Sequence, residues 1–551
     1  MHQELEQLVL NTMFLGQLII KKIKMKKFKY ISVFLLSLGF IACDVNNELD
    51  QIEPEVVEQV EVNANGVDFS NYVAIGASFT AGFTDNALFV AGQENSFPNI
   101  LASKFALAGG GDFKQPLMND NIGGLLLGGN RYPNGAFGPR LYFNGSGPVP
   151  LAKEPTTETT TSVAGDLNNY GIPGAKSFHF IASGYGNMAA VSLGLANPYF
   201  ARMSSSASTT VLADALGQNP TFFTLSEVGG NDVLSFALAG GAGVDQSPSA
   251  SNPTGNLDPA TYGSNDITNP LVFNNVFDVM VNALTTGGRK GVVANVPYIT
   301  SLAHFTTVPY NPVPLDASTS TQLNTQLLGT VIQILTALGQ PNRISLLEAK
   351  ANNKLLIKDE DLADFSAQIS GALQQGGVPA AQAQLMGSLY GQARHSTAED
   401  LFVLPLSKVI GTTTVTVPSP FNTIGVTFPL EDKWVITPQE QLAIKTATDA
   451  YNTKIEAVAT AKGLAFVDFK TILETASTTG IQFDNYMLKT NLVTGGLISL
   501  DGVHLTARGY ALMANKMLEA IDLAYGTNFT LATNGLAKVG NYPTNYSPTL
   551  R

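Results

Sequence analysis

Short apolar runs bounded by glycine, proline and asparagine recur along the chain and predict buried strands. They are YVAIG from Tyr72, TFFTLSEVG from Thr221, GVVANVP from Gly291 and GLAFVDF from Gly463. Apolar residues at helical spacing run through TPQEQLAIKTATDAYNTKIEAVATAKG from Thr437, which has a threonine cap, a proline in the first turn and a final glycine. Helix followed directly by strand predicts an α/β fold, a three-layer α/β/α sandwich around a parallel sheet.

Long stretches between these elements show neither the helical spacing of apolar residues nor the short apolar runs of strands. We interpret them as insertions into one domain at 69–527. The insertions lie at 102–160, 234–268 and 310–430, and residues 528–551 are predicted to form an irregular C-terminal tail. Loops of this size in a compact fold usually form walls or lids of a functional site, or small subdomains. For 310–430, which mixes helical and proline-bounded strand patterns, a mobile lid and a subdomain are both open interpretations.

The N-terminus has the basic-then-apolar order of a secretory signal. Six lysines between Lys21 and Lys29 precede the apolar run YISVFLLSLGFIA at 30–42. Because this run is too short to be a stable membrane-spanning helix, we predict that residues 1–42 are a signal peptide. Met25 begins a more compact signal and is an alternative start of translation.

Cys43, the single cysteine of the chain, directly follows the apolar run. The segment GFIAC resembles a bacterial lipobox, so Cys43 is predicted to be lipidated, and residues 43–68 to form a solvated acidic tether. Acidic residues just after the cysteine resemble the surface-export signals of Bacteroidetes lipoproteins. We therefore expect an exported protein, lipid-anchored to the outer membrane or cell surface; the alternative is that Cys43 is a small buried hydrophobic residue.

Composition and net charge favour a globular protein and exclude some classes of partner and site. With 551 residues, 44% of them hydrophobic, the chain is long and apolar enough to be globular. A formal net charge of −12 makes nucleic acid an unsuitable partner. His179, His304 and His395 have no carboxylate or cysteine at metal-ligand spacing, so neither a metal site nor a cofactor is predicted.

Four segments supply the parts that ester hydrolysis by a serine nucleophile requires. AIGASFTAG places Ser78 in the turn after a strand, at the carboxyl end of the predicted sheet. NNYGIPGAKS contains Gly174, whose N–H can approach a substrate closely because glycine has no Cβ. SEVGGNDVL places Asn231 after a strand and two glycines, where its amide can donate to an oxyanion. SLDGVHLTARGY sets Asp501 three residues before His504, so that one loop delivers both side chains.

These segments resemble the four sequence blocks of the SGNH hydrolases, also called GDSL esterases and lipases. The resemblance implies a flavodoxin-like SGNH fold with Ser78 as nucleophile, His504 as base and Asp501 as the residue that orients His504. It also implies an oxyanion hole formed by the N–H of Ser78, Gly174 and Asn231.

The chain departs from the family pattern at three positions. Ala77 and Phe79 replace the Asp and Leu that flank the serine in Gly-Asp-Ser-Leu, and Glu227 stands where many members have an aromatic or aliphatic residue. Neighbouring Asp232 is predicted to stabilise a turn. Phe222, Phe223 and Leu125 are candidates for an acyl pocket, with the core as the alternative place for them.

The resemblance predicts a carboxylic ester hydrolase that acts on lipid or short-chain acyl esters through an acyl-enzyme. A histidine base also predicts loss of activity in acid. One alternative is a carbohydrate O-acetylesterase that acts on glycans. A second is a non-catalytic surface binding module that retains the SGNH fold.

Overall fold

The computed structural model describes residues 59–163 and 165–550. The predicted signal peptide and Cys43 lie outside the described residues. Residues 59–68, the last part of the predicted tether, are bonded to the folded body. The N–H of Val60 donates to Thr533 Oγ1 at 3.1 Å, the N–H of Asn63 donates to Asn528 Oδ1 at 2.6 Å, and Val67 is buried.

A parallel sheet of five strands forms the centre of the protein, and helices flank it, which confirms the predicted α/β fold. In chain order the strands are β1 (Tyr72–Gly76), β2 (Asn169–Gly171), β3 (Phe222–Leu225), β4 (Lys290–Ala294) and β5 (Ala465–Val467). Their order across the sheet is β5-β4-β3-β1-β2. The chain therefore reverses direction across the sheet around β1, and such a switch point is where open α/β sheets bind ligands.

The strands are apolar because the sheet is covered on both sides. Every residue of β1 and of β3 is buried, as expected of parallel strands packed between helices. The register pairs Gly76 with Gly171 of β2 and Ile75 with Leu225 of β3. The segments after these three strands therefore start at the same edge of the sheet.

Helices of very different length connect the strands. They are α1 (Ser78–Ala81), α2 (Val90–Glu94), α3 (Phe97–Phe105), α4 (Met188–Val191), α5 (Pro198–Ala201), α6 (Val211–Gly217), α7 (Asn231–Leu238), α8 (Pro270–Leu284), α9 (Ala303–Thr306), α10 (Ala317–Leu323), α11 (Gly329–Ala337), α12 (Ser366–Gln375), α13 (Ala380–Tyr390), α14 (Pro438–Lys462), α15 (Phe469–Thr478) and α16 (Ala507–Tyr525). Helix α16 packs on α3 and on β4 and β5, whereas α8 packs on α6 and α14. None of the helices in the described ranges combines the length and apolarity needed to cross a membrane.

The longest helix, α14, has the ends that the sequence predicts. Thr437 precedes it and forms a capping box, in which the N–H of Thr437 donates to Glu440 Oε2 at 2.6 Å. Gly463 ends it in the left-handed region, with φ of 62°. These local signals place both ends of the helix correctly.

The three predicted insertions contain small structures of their own. In 102–160, two-stranded antiparallel ribbons pair Leu126–Leu127 with Asn130–Arg131 and Leu141–Phe143 with Pro148–Pro150, and in 310–430 a ribbon pairs Leu356–Lys358 with Ala393–His395. Leu401–Phe402 pairs with Val435–Ile436 just beyond the third insertion, a 3-10 turn at Pro259–Thr261 lies in the second, and the ribbon of Ile481–Phe483 with Tyr486–Leu488 lies outside all three. The first residues of the insertions at 102–160 and 234–268 belong to α3 and α7, because their apolar side chains continue the core-facing sides of these helices. Buried Arg140 of the first insertion donates to the carbonyls of Tyr546 and Ser547 at 3.3 and 2.6 Å, and so ties down the C-terminal tail.

Candidate active site

Ser78 lies two residues after β1 and is the first residue of α1. The turn between strand and helix is tight: a Cβ at Gly76 would lie 2.1 Å from Thr80 Oγ1 and 2.6 Å from the Ser226 carbonyl oxygen. Only glycine fits there without displacing the backbone of the neighbouring loop. The turn therefore holds Ser78 at the switch point of the sheet.

His504 and Asp501 reach Ser78 from a loop more than four hundred residues further along the chain. Ser78 Oγ lies 2.9 Å from His504 Nε2, and His504 Nδ1 lies 2.9 Å from Asp501 Oδ2. A carboxylate accepts hydrogen bonds only, so we assign the proton to Nδ1, which leaves Nε2 to accept the hydroxyl proton of Ser78. This is the hydrogen-bonded order of a serine, base and orienting carboxylate.

Asp501 is held ionised by its surroundings. Its Oδ1 accepts the N–H groups of Val503 and His504 at 2.8 Å each, and its Oδ2 accepts the N–H of Asn86 at 2.8 Å. Burial works to raise the pKa of Asp501, but His504 and these N–H groups outweigh it and hold the pKa well below its ordinary value. His504 therefore faces a fixed negative charge.

His304 supports the same loop from α9. Its N–H donates to the carbonyl of Gly502 at 2.9 Å, and its Nδ1 lies 3.1 Å from the carbonyl oxygen of Asp501. The imidazole is mostly buried, and burial lowers its pKa. His304 is thus a packing residue beneath the loop that carries the base, in a place that no local motif indicates.

Gly174 and Asn231 follow β2 and β3, the two strands on either side of β1. Gly174 has φ of 80°, a conformation that other residues rarely adopt. Asn231 lines the same cavity as Ser78, and its Nδ2 donates to the carbonyl of Ala175 at 2.9 Å. Because an amide nitrogen carries two donors, the second hydrogen of Asn231 remains available for a ligand.

Asp232 fastens the Gly174 loop to α7. Its buried carboxylate accepts the N–H of Ser177 at 2.8 Å and the hydroxyl of Ser177 at 2.6 Å. The predicted turn-stabilising role thus takes the form of a bond between two loops. It holds the loop after β2 close to the one after β3.

Glu227 bonds to the turn that carries Ser78, a contact that sequence reasoning missed. Its Oε2 accepts the N–H of Phe79 at 2.7 Å, and its Oε1 accepts the N–H and the hydroxyl of Thr80 at 2.7 and 2.5 Å. The carboxyl group thus binds the first turn of α1, directly after the nucleophile, but not the N–H of Ser78 itself. Burial raises the pKa of Glu227 to about 7. A charged residue at the end of an apolar strand was the one signal of this role.

We expect Glu227→Ala to lower kcat for a reaction at Ser78 by up to about 100-fold, because small misplacements of a reacting group have effects of this size. Two buried N–H groups of the Ser78 turn lose their acceptor in this variant. Glu227→Gln, which keeps one acceptor oxygen, should lose less. Steady-state kinetics of both variants, with exposed Glu399→Ala as control, measure the effect. A lowered melting temperature with unchanged kcat would contradict a positioning role.

Asp85 is a second buried carboxyl group that the sequence did not indicate. Its Oδ1 accepts the N–H of Leu500 at 3.0 Å, and its Oδ2 has no hydrogen-bond partner among the described residues. Burial raises the pKa of Asp85 to about 7, and nearby Asp501 adds to the rise. Asp85 thus joins the loop after α1 to the loop that carries Asp501.

An apolar cavity and a wide groove adjoin the site. The cavity is lined by Ser78 and Asn231, and the groove by Gly174. Phe222, Phe223 and Leu125 line neither, because all three are buried in hydrophobic clusters. For these three side chains the core alternative is correct.

The insertions contribute unequally to the groove. Residues 132, 133 and 137 of the first insertion, and 257 to 264 of the second, supply part of its wall. Of the described residues that line either the cavity or the groove, none belongs to 310–430. The first two insertions therefore act as walls, and the lid interpretation of the third gains no support.

Two further histidines of the described residues, His179 and His395, are bonded within the fold. His179 accepts the N–H of Lys176 at 3.0 Å and stacks on Tyr185, and His395 Nδ1 contacts Ser345. Burial lowers the pKa of His179 and of His395 to about 4. Both are thus neutral at physiological pH, and neither contacts the triad.

Three carboxylates outside the triad come close enough together to share a cation. One oxygen each of Glu360, Asp432 and Glu440 lies within 4.8 Å of the others. Glu440 already accepts the N–H of Thr437 in the capping box, and burial raises the pKa of Asp432 and of Glu440 to about 7. Protonation of Asp432 or Glu440 reduces the repulsion between the three carboxyl groups, and Glu440 has a separate role in the helix cap. The cluster therefore does not require a bound cation.

No family model, no curated protein and no solved structure matches the chain. The function of the site therefore has to be inferred from the hydrogen-bonded order of Ser78, His504 and Asp501 and from the cavities beside them.

Proposed function

We propose that the protein is a serine ester hydrolase that cleaves carboxylic esters through an acyl-enzyme on Ser78. The observation that carries the proposal is the unbroken chain of contacts from Ser78 Oγ to His504 Nε2 and from His504 Nδ1 to Asp501, both at 2.9 Å. A serine hydroxyl is a weak nucleophile until a positioned base accepts its proton. This chain of contacts supplies the base and the carboxylate that orients it.

His504 accepts the Ser78 proton as Oγ attacks the ester carbonyl, and Asp501 stabilises the imidazolium that forms. The tetrahedral intermediate carries its negative charge on the former carbonyl oxygen. Ser78 N–H, Gly174 N–H and Asn231 Nδ2 are the proposed donors to this oxyanion. The intermediate collapses as His504 protonates the departing alcohol, which leaves Ser78 acylated. A water molecule, deprotonated by His504, then releases the acid and restores Ser78.

The SGNH resemblance and the strand order support each other. The order β5-β4-β3-β1-β2 is that of flavodoxin-like sheets. Ser78, Gly174 and Asn231 follow β1, β2 and β3, as the order of the sequence blocks requires. We extend the proposal to a lipid anchor at Cys43, which would place this ester chemistry at the outer membrane or cell surface. No cofactor enters the proposed reaction.

A fluorophosphonate probe tests the proposal without knowledge of the natural ester. We expect one probe molecule to bond covalently to Ser78, located by mass spectrometry of the labelled peptide. Ser78→Ala should abolish labelling, and Ser407→Ala, which alters an exposed serine, should leave labelling unchanged. Failure of the wild-type protein to react, or reaction at another residue, would favour the non-catalytic binding module.

A further inference from the structure

An apolar cavity of about 100 Å³ opens beside Ser78. The side chains that line it away from the nucleophile come from the segments after β4 and β5 and from α16. They include Val296, Ile299, Leu302, Ile472, Leu512 and Met513. A pocket of this kind, apolar with few polar groups, holds an apolar part of a ligand.

The polar groups of the cavity lie at the end of β3 beside the nucleophile or are engaged elsewhere. Ser226, directly after β3, is the exception among the described residues, because its buried Oγ has no hydrogen-bond partner. Glu227 and Asn231 follow β3 next to Ser78 and bond to the loops of the active site. Asn295 and Lys516 bond to carboxylates of other residues at 2.6 and 2.8 Å. The deep wall thus offers little to a sugar or a charged group, which would lose its water without gaining partners.

We propose that this cavity receives the acyl chain of the ester and limits it to about four carbons. The inference rests on the proposed function, since it places the acyl carbonyl at Ser78. The size follows from comparison with a dry protein cavity of ~150 Å³ that holds the six carbons of benzene. On that scale 100 Å³ holds roughly four carbons. A long fatty acyl chain does not fit, and an acetyl group leaves most of the cavity empty.

We assign the alcohol part of the ester to the wide groove that Gly174 lines. Its volume is about 1560 Å³, and its wall includes Gly174 together with Tyr132, Phe178, Tyr185 and Tyr262. Ser78 and Asn231 face the cavity while Gly174 faces the groove, so the proposed oxyanion donors lie between the two spaces. A bulky alcohol therefore has room in the groove, and the substrate class is a short acyl ester of a large alcohol.

The test is the rate of hydrolysis of p-nitrophenyl acetate, butyrate, octanoate and palmitate by the full chain. Each methylene buried in an apolar pocket should raise kcat/KM by about fourfold, which gives about 15-fold from acetate to butyrate. Beyond butyrate we expect a steep fall. A maximum at octanoate or palmitate, or at acetate with release of acetate from acetylated xylan, would overturn the inference alone. Hydrolysis of none of these esters would overturn the proposed function as well.

Two substitutions in the cavity wall test whether this cavity determines the preferred acyl chain length. Ile472→Phe adds volume on α15 and should lower kcat/KM for butyrate at least tenfold while acetate is hydrolysed as before. Met513→Ala removes side-chain volume from the wall and should raise kcat/KM for octanoate relative to kcat/KM for butyrate. Glu474→Phe, on the exposed side of α15, is the control and should keep the wild-type chain-length profile. Unchanged profiles in folded Ile472→Phe and Met513→Ala would assign acyl selection to another part of the protein.

Discussion

Replacing Ser78 with alanine is expected to lower kcat for p-nitrophenyl butyrate by about 10⁶-fold, as loss of a triad nucleophile does in serine hydrolases. The variant loses the Oγ that lies 2.9 Å from His504 Nε2, and no acyl-enzyme can form. Residual hydrolysis should come only from the oxyanion donors acting on water. A stopped assay that compares active-site-titrated wild type with variant protein quantified by absorbance measures a decrease of this size.

The same experiment separates a triad from three independent residues. His504→Ala should be almost as inactive as Ser78→Ala, and the double variant should be no worse than either, because residues that act as one unit are not additive. Melting temperatures close to the wild-type value would show that the fold is retained. An enzyme that keeps activity within tenfold after loss of Ser78 would require another nucleophile.

The central strands and the triad could be predicted because their signals are local. Tyr72–Gly76 is a short apolar run that ends in glycine, and the observed strand β1 has the same bounds. His504 and Asp501 lie three residues apart, so their relation to each other is fixed within one loop. Their relation to Ser78 was inferred from the order of four sequence blocks, and the structure brings the three side chains together.

Strand β2 was not predicted, because it is short and rich in polar residues. Asn169–Gly171 belongs to the segment NNYGIPG, whose composition is that of a turn. The Asn169 side chain is buried because its amide donates to the carbonyl of Thr80 at 2.8 Å. A polar side chain that finds its partner only in the folded state leaves no apolar signal in the sequence.

The two buried carboxyl groups near the triad were missed for a related reason. Glu227 bonds to Phe79 and Thr80, about 150 positions away, and Asp85 bonds to Leu500 across more than 400. Such bonds depend on how loops meet at the edge of the sheet and not on a local period. At Glu227 the sequence offered one hint, a charged residue at the end of an apolar strand, and the structure shows that its carboxyl group anchors the first turn of α1.

Asp501→Asn should lower kcat by about 10⁴-fold while KM for p-nitrophenyl butyrate changes little, the effect known for the corresponding change in a serine-protease triad. The new amide nitrogen cannot accept the Nδ1 proton of His504. The imidazole then carries its proton on Nε2, which faces Ser78 and can no longer accept the hydroxyl proton. The asparagine oxygen can still accept the N–H groups of Val503 and His504, which should hold the loop in shape, while the N–H of Asn86 loses the acceptor that Oδ2 provides.

Labelling kinetics distinguish this loss of base function from loss of structure. Asp501→Asn should react with the fluorophosphonate probe far more slowly than the wild type, and its melting temperature should remain close to the wild-type value. Asp85→Asn is the matched control, because it changes a buried carboxyl group of the same loop cluster that does not contact His504, and its kcat should stay within tenfold of wild type. Equal loss of activity in both asparagine variants would contradict a specific orientation of His504 by Asp501. It would instead attribute the effect to the combined charge of Asp85 and Asp501.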